Sequence, residues 1–229
     1  VMAESINVNV GGTWKDVNAV HVNVGGTWKQ CDQVYTKVSG VWKPLLSTAS
    51  TPVSYIQVDT YQSVGTSATV TISAHNSGDL LVFAVFVESN KTVSTPSGWT
   101  LLNNTLATSE GWIFYKIADG TETSVSVSGS TPNNVWSASV TTWRNVHQTD
   151  PFDSGNWNVN TGTTNQPTRS ALTPSVDNCA IFACHGLNDN YSTTSPSGMT
   201  EIFDETTNRS SAGGAHSGAY ELQTTAQST

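Results

Sequence analysis

Hydrophobic and polar positions along this chain change period near residue 50. In the first 45 residues a short phrase recurs: Val10-Gly11-Gly12-Thr13-Trp14-Lys15, then Val24-Gly25-Gly26-Thr27-Trp28-Lys29, then Val38-Ser39-Gly40-Val41-Trp42-Lys43, so the three tryptophans lie fourteen residues apart. A repeat this short cannot bury a core alone and must stack on its copies or on partner chains. Each copy reads as a strand, a glycine turn and a second strand, the signature of a hairpin. A two-residue Gly-Gly loop would pair Trp14 with Asn9. A three-residue loop pairs it with Val10 and keeps the apolar set on one face, which hydrophobic patterning favours. The expected cross-strand pairs are therefore Val10/Trp14, Val24/Trp28 and Val38/Trp42, each adding roughly 0.2–1 kcal/mol. They would form one apolar stripe, an assembly surface, with Lys15, Lys29 and Lys43 on the opposite, wetter face.

Residues 47–52 are small and polar, end in Pro52 and read as a linker between a repeat region at 1–46 and a larger domain at 53–229. Period-2 alternation predicts strands at 53–59, 68–73, 80–88, 99–103, 112–118, 123–128 and 136–143. Turn signals such as Asn76-Ser77-Gly78, Pro96-Ser97-Gly98 and Asp119-Gly120 separate them, the spacing of an antiparallel, jelly-roll-like β-sandwich. A second repeat runs through this domain. Pro96-Ser97-Gly98-Trp99-Thr100 returns one hundred residues later as Pro196-Ser197-Gly198-Met199-Thr200. Asp79 to Ala84 is echoed by Asp177 to Ala183 at an offset near 99, and Tyr115 to Ala118 more faintly by Tyr220 to Gln223. The sandwich is thus expected to be two related halves. Counterparts of the strands at 123–128 and 136–143 would follow Gln223, where the sequence stops at Thr229. The expectation is a product cut short, with a strand supplied by a neighbouring chain as the alternative.

Composition narrows the class. Charged residues make up 11% and the net charge is −8. With plentiful Ser, Thr, Asn and Gly beside eight Trp, this suits short strands with polar, uncharged outer faces. No basic stripe offers phosphate contacts, which argues against nucleic acid, and no apolar run reaches the roughly 18 residues of a membrane span. The start, Val1-Met2-Ala3-Glu4, has neither the basic flank nor the apolar block of a signal peptide, and a Val before Met suggests processing. Three cysteines, Cys31, Cys179 and Cys184, form no disulfide framework. Cys179 and Cys184, five apart, face opposite sides of a strand as small apolar fillers.

Candidate chemistry is sparse. The nucleophile-elbow, His-Glu-x-x-His, phosphate-loop and EF-hand patterns are all missing from the sequence, and no catalytic residue, cofactor or metal is expected. His21, His75, His147, His185 and His216 are scattered and read as surface or edge residues. Asp150 and Asp153 read as a solvated loop rather than a glycosidase pair, and Asp189, Asp204 and Glu205 lack the alternating oxygen ligands of a calcium loop. Aromatic faces can stack on sugars: Trp112, Trp136 and Trp143 sit in strand patterns and are assigned to the core, which leaves Trp157 and Tyr191, in polar loops, as candidate glycan contacts.

The Val-x-Val-Gly-Gly-Thr-Trp-Lys phrase at 8–15 and 22–29, degenerate at 36–43, resembles N-terminal repeats of virion structural proteins of tailed bacteriophages. The segment from Gly78-Asp79-Leu80-Leu81-Val82 through Pro96–Thr100 and Phe114–Ala118 to Trp143-Arg144-Asn145-Val146 resembles a β-sandwich module of phage structural and tail-fibre-like proteins, whose second half carries the Pro-Ser-Gly-Met-Thr phrase matched at 196–200. The resemblance implies a non-enzymatic virion protein with no catalytic residues to carry over. Its repeats would anchor to the particle or to sister chains, in a homo-oligomer guessed as a trimer, and its sandwich would face a host surface or glycan. A capsid decoration protein and a secreted glycan-binding adhesin module are the alternatives.

Overall fold

The computed structural model describes residues 7–10, 13–16, 21–30, 35–38, 41–44, 51–88, 92–105, 109–129, 134–153, 172–187, 192–206 and 214–225; within the repeats the description is of the backbone, save at 25–27. Every regular element among them is a β-strand, and every ladder is antiparallel. The chain forms two compact units, Val1–Ser50 and Thr51–Thr229.

In the first unit the three phrases form three separate two-stranded sheets: β1 (Asn7–Val10) with β2 (Thr13–Asp16), β3 (His21–Val24) with β4 (Thr27–Gln30), and β5 (Tyr35–Val38) with β6 (Val41–Pro44). Their register overturns the expected pairs. Trp14 is opposite Asn9, Trp28 opposite Asn23 and Trp42 opposite Lys37, while Val10, Val24 and Val38 close the hairpins against Thr13, Thr27 and Val41. Each loop therefore spans two residues, and the tryptophan and valine positions fall on opposite parity. Turn chemistry outweighs hydrophobic patterning here. Gly25 and Gly26 have φ of 61° and 84°, the double left-handed conformation whose twist matches that of the flanking strands and which glycine adopts without penalty.

The second unit is built around a five-stranded sheet in the order β10-β11-β9-β13-β7, comprising β7 (Ser54–Gly65), β9 (Leu80–Glu88), β10 (Thr100–Thr105), β11 (Ser109–Ile117) and β13 (Asn134–Arg144). A ribbon of β8 (Ser67–Thr71) and β12 (Ser124–Ser128) covers one face. A three-stranded sheet of β14 (Cys179–Leu187), β16 (Ala215–Gln223) and β15 (Thr200–Thr206), in that order, covers the other. The uncharged run Leu80–Val87 does not alternate because both of its faces are buried, as expected of a central strand. Leu81, Phe83, Val85 and Val87 pack with Val70, Val125, Phe114 and Trp136 under the ribbon. Leu80 and Val82 face the three-stranded sheet with Trp143, Tyr115, Phe182 and Tyr220. The ribbon strands, with only one buried face, alternate cleanly, as in Ser124-Val125-Ser126-Val127-Ser128. β7 runs further than the expected 53–59, because its polar continuation from Thr60 to Gly65 is laddered along β13.

The two halves are copies in backbone detail. β9, β11 and β10 pair as β14, β16 and β15 do, with Thr100 opposite Tyr115 and Thr200 opposite Tyr220. Each copy has a bulge at the same place, after Leu101 and after Glu201. In both Pro-Ser-Gly turns the residue after glycine donates its N–H to the proline carbonyl at 3.1 Å, and Gly98 and Gly198 have φ of 78° and 85°, a type II turn. The register corrects the expected offset of 99 to 100: Tyr115 opposes Val82 and Tyr220 opposes Phe182. Phe182 is therefore the counterpart of Val82, and the two copies pack through the same face.

Between the sheets Trp143 lies 5.5 Å from Tyr55, 5.6 Å from Phe182 and 5.6 Å from Tyr220 by ring centroids, and its indole N–H donates to Thr141 Oγ1 at 2.9 Å. Further along the same layer, Phe86 lies over Gly186, where an added Cβ would stand 2.1 Å from the ring. Gly186→Ala is expected to destabilise the chain by about 1–3 kcal/mol through overpacking, while Gly65→Ala, which meets nothing within 4 Å, stays near neutral. Thermal unfolding of the two variants checks this, and equal melting temperatures would refute the tight approach of the sheets.

Candidate functional site

The candidate glycan contacts Trp157 and Tyr191, and Asp189, lie outside the described residues. Trp112, Trp136 and Trp143 are core, each no more than 3% exposed, so their faces are closed to a sugar. The carboxylates read as loop or calcium candidates hold backbone in place. Asp153 accepts the Ser175 N–H and hydroxyl at 2.6 and 2.7 Å, tying its loop to the approach to β14. Asp204 accepts from Ser192 and Thr193, and Glu205 from the Thr60 hydroxyl at 3.2 Å. Among the described residues no group of three His, Cys, Asp or Glu is placed to hold a metal ion, and no helix is long and apolar enough to cross a membrane. Cys179 and Cys184 are free and at opposite parity on β14. Burial pushes the Cys184 thiol up to about 12 and raises Cys179 as well, so neither is the thiolate a nucleophile requires.

Two histidines depart from the expected surface placement. His216 is 1% exposed, in the layer between the sheets. Its ring centroid is 4.8 Å from both Phe86 and Phe203, and Nε2 is 3.4 Å from Ser139 Oγ. Burial, and then the charge His185 would carry, lower its pKa to about 3, so it is neutral at physiological pH. Within Gly214-Ala215-His216-Ser217-Gly218, small residues on either side gave no hydrophobic run to mark a core position.

His75 belongs to a polar cluster at one end of the sandwich. Its Nε2 is 2.8 Å from Glu122, which also meets Lys116 Nζ at 2.5 Å and accepts the N–H groups of Asp119 and Gly120. Burial alone would raise Glu122; the Lys116, Asp119 and His75 hydrogen bonds overcome it and hold the carboxyl well below its usual range. Beside this cluster Arg144 grips Asp79 bidentately, Nε and Nη2 at 2.9 and 2.8 Å, and Asn76 N–H adds a third bond at 2.8 Å. Asp79 is 2% exposed. Burial raises its pKa, but the bonds from Arg144 and Asn76 outweigh that and leave it below the ordinary 3.8. These partners lie 65 and 47 residues apart in sequence, too far for spacing to reveal them. A shallow depression of about 400 Å³ opens here, lined by Asn76, Gly78, Arg144, Asn145 and Gln148 along with Asp79. Its acid and base are paired with each other, which leaves the amide groups of Asn76, Asn145 and Gln148 among its other polar lining.

Comparison with protein-family models, with curated proteins and with solved structures yields no match. The class defined by the coordinates is architectural: an all-β, antiparallel sandwich with an internal duplication, accompanied by three short hairpins.

Arg144→Ala removes the bidentate partner of buried Asp79, so stability falls at pH 7. The wild-type contribution is present above the unfolded value near 4 and is lost as pH falls through the lowered folded value. The variant's deficit should therefore shrink below pH 4, read by chemical denaturation across pH; a deficit independent of pH would contradict the pairing. His216 has the opposite leaning. Its folded pKa is below the unfolded 6.5, so the unfolded chain binds the proton first and stability declines from pH 6.5 toward 3. His216→Met should flatten that slope by about one proton, measurable in the same titration.

Proposed function

We propose that this chain is a non-enzymatic structural protein of a tailed-phage particle, anchored by its N-terminal hairpins and displaying the sandwich outward, in the manner of a tail fibre or spike. The observation that carries the reading is the form of the repeats: three separate two-stranded sheets of four-residue strands, recurring every fourteen residues. A lone hairpin of that length is at best marginally stable in water and gains stability by lying against another surface, which a period of fourteen suits to an array of equivalent contacts. The resemblance of the Val-Gly-Gly-Thr-Trp-Lys phrase to phage repeats gives that surface a class: other virion proteins or sister chains, in an oligomer of which a trimer is the simplest form. The observed register changes how the anchor would work. Trp14, Trp28 and Trp42 fall at opposite parity to Val10, Val24 and Val38, so the two sets of positions do not make up one stripe. Of the candidate acids, Asp153, Asp204 and Glu205 are engaged in loop and strand contacts, in keeping with a display module.

The test is incorporation. Particles assembled with the Trp14→Ala, Trp28→Ala, Trp42→Ala triple variant should carry roughly tenfold less of the chain or lower still, as expected when aromatic anchors are truncated, while the second unit melts unchanged. Antibody against the sandwich should decorate the tail. Labelling spread over the capsid would turn the reading into a decoration protein, and wild-type occupancy by the triple variant would end the anchor reading.

A further inference from the structure

The internal duplication supplies a template for reading the second copy's sheet edge. In the first copy β9 is laddered on both sides, by β11 and by β13, the latter over eight residues from Trp136 opposite Val87 to Trp143 opposite Leu80. Its counterpart β14 is laddered by β16, and among the described residues no strand pairs with its other edge. Exposure follows this difference: β9 is buried almost throughout, whereas β14 is half-buried at every position but Ile181.

The edge chemistry is equally unlike. Outer strands usually carry a bulge, a charge or a proline to discourage further pairing. Of the four outer strands of the two larger sheets, β10 is bulged at Leu102, β7 at Ile56 and β15 at Ile202, and β15 adds Glu201, Asp204 and Glu205. β14, Cys-Ala-Ile-Phe-Ala-Cys-His-Gly-Leu, has none of these devices and keeps nine consecutive pairs with β16. By sequence and geometry it is an interior strand standing at an edge.

We infer that the edge of β14 with which no described strand pairs receives, antiparallel, an extended and uncharged strand of another polypeptide with the chemistry of β13, small or hydroxylated residues alternating with apolar ones. A second copy's β14 is a poor occupant for a steric reason. β14 lies against β9 and β11, β16 against β13 and β15 against β7, so β10 overhangs the open edge. Two β14 strands related by a twofold would place both five-stranded sheets on one side of the joined sheet, each in the other's overhang. A single extended segment avoids this and slides beneath β10 and β11, where Ile113, Tyr115 and Ile117 are only partly buried and Phe152 stands edge-on to Tyr115 at 4.9 Å. It needs no arginine, because Cys179 takes the place of Asp79 at the start of the copy, following Asn178 as Asp79 follows Gly78, both in the left-handed conformation.

The experiment is amide-resolved hydrogen exchange on the full chain, alone and with a synthetic peptide of sequence Val135–Trp143 as the probe strand. Alternate amides of β14 should exchange fast in the chain alone and slow by tenfold or more at saturating peptide, with a scrambled peptide leaving them unchanged. Uniformly slow exchange in the monomeric chain would mean that the edge is already filled, and no slowing at millimolar peptide would mean that it is not receptive. Either result overturns the inference, as does a dimer in which β14 is protected without peptide.

Discussion

Burial of both faces of β9 is the constraint on which the rest of the sandwich depends. A strand reading Leu-Leu-Val-Phe-Ala-Val-Phe-Val cannot leave either face in water: at about 25 cal/mol per Å² of apolar surface, each large side chain left exposed forfeits roughly 1.5–3 kcal/mol. One cover, the β8–β12 ribbon, alternates Ser or Thr with Ala or Val and can close only one side. The other has to be a sheet with its own apolar face, and the three-stranded copy is that sheet. Trp143, Tyr55, Phe182 and Tyr220 form the contact between them, so the fixed orientation of the two copies follows from an aromatic cluster rather than from charge.

The duplication explains why this contact works. Both copies turn the equivalent face inward, although β16 and β15 lie against β13 and β7 and only β14 lies against duplicated strands of the first copy. Tyr115 and Tyr220, Val82 and Phe182 are equivalent residues on facing sheets. The symmetry is then broken on the outer sides. The first copy places Phe83, Val85 and Trp112 under the ribbon. At matching positions the second has Ala183, His185 and Ser217, smaller or polar residues that need far less cover.

Much of this was legible in sequence, for reasons that differ by element. The strands of the sandwich were legible because alternation and turn residues agreed: the Leu80–Glu88 strand was read at its observed bounds, and the Pro-Ser-Gly phrase marked real turns at both sites. The hairpins follow the glycine turns of the repeat, but their loops are one residue shorter than grouping Val10 with Trp14 requires, because Gly-Gly favours a two-residue turn. In a ribbon with no core of its own, turn chemistry is the stronger of the two. The offset of the long repeat was missed by one because Phe83 and Phe182 look alike, and a shift of one residue turns a side chain to the other face. The ion pairs and the buried His216 gave no local signal, because their partners come together only when distant strands pair.

The position where the copies diverge most tells what holds β13 in register. Asp79 begins β9 and is 2% exposed, a location at which a carboxylate without a cation is costly. Arg144 ends β13 and reaches it with two parallel hydrogen bonds, a geometry that a slip of even one residue along the ladder would destroy. Hydrophobic contact also resists sliding of β13, because Trp136, Ala138 and Val140 are buried on its ribbon side and Trp143 on the other, and a slip of one residue would exchange the two faces. The ion pair adds to that constraint, a registry role for which buried charges are best attested. In the second copy no β13 is present among the described residues, and the acid is absent too: Cys179, its thiol kept protonated by burial, occupies the same place. The second copy thus has no carboxylate at the position that in the first copy takes Arg144.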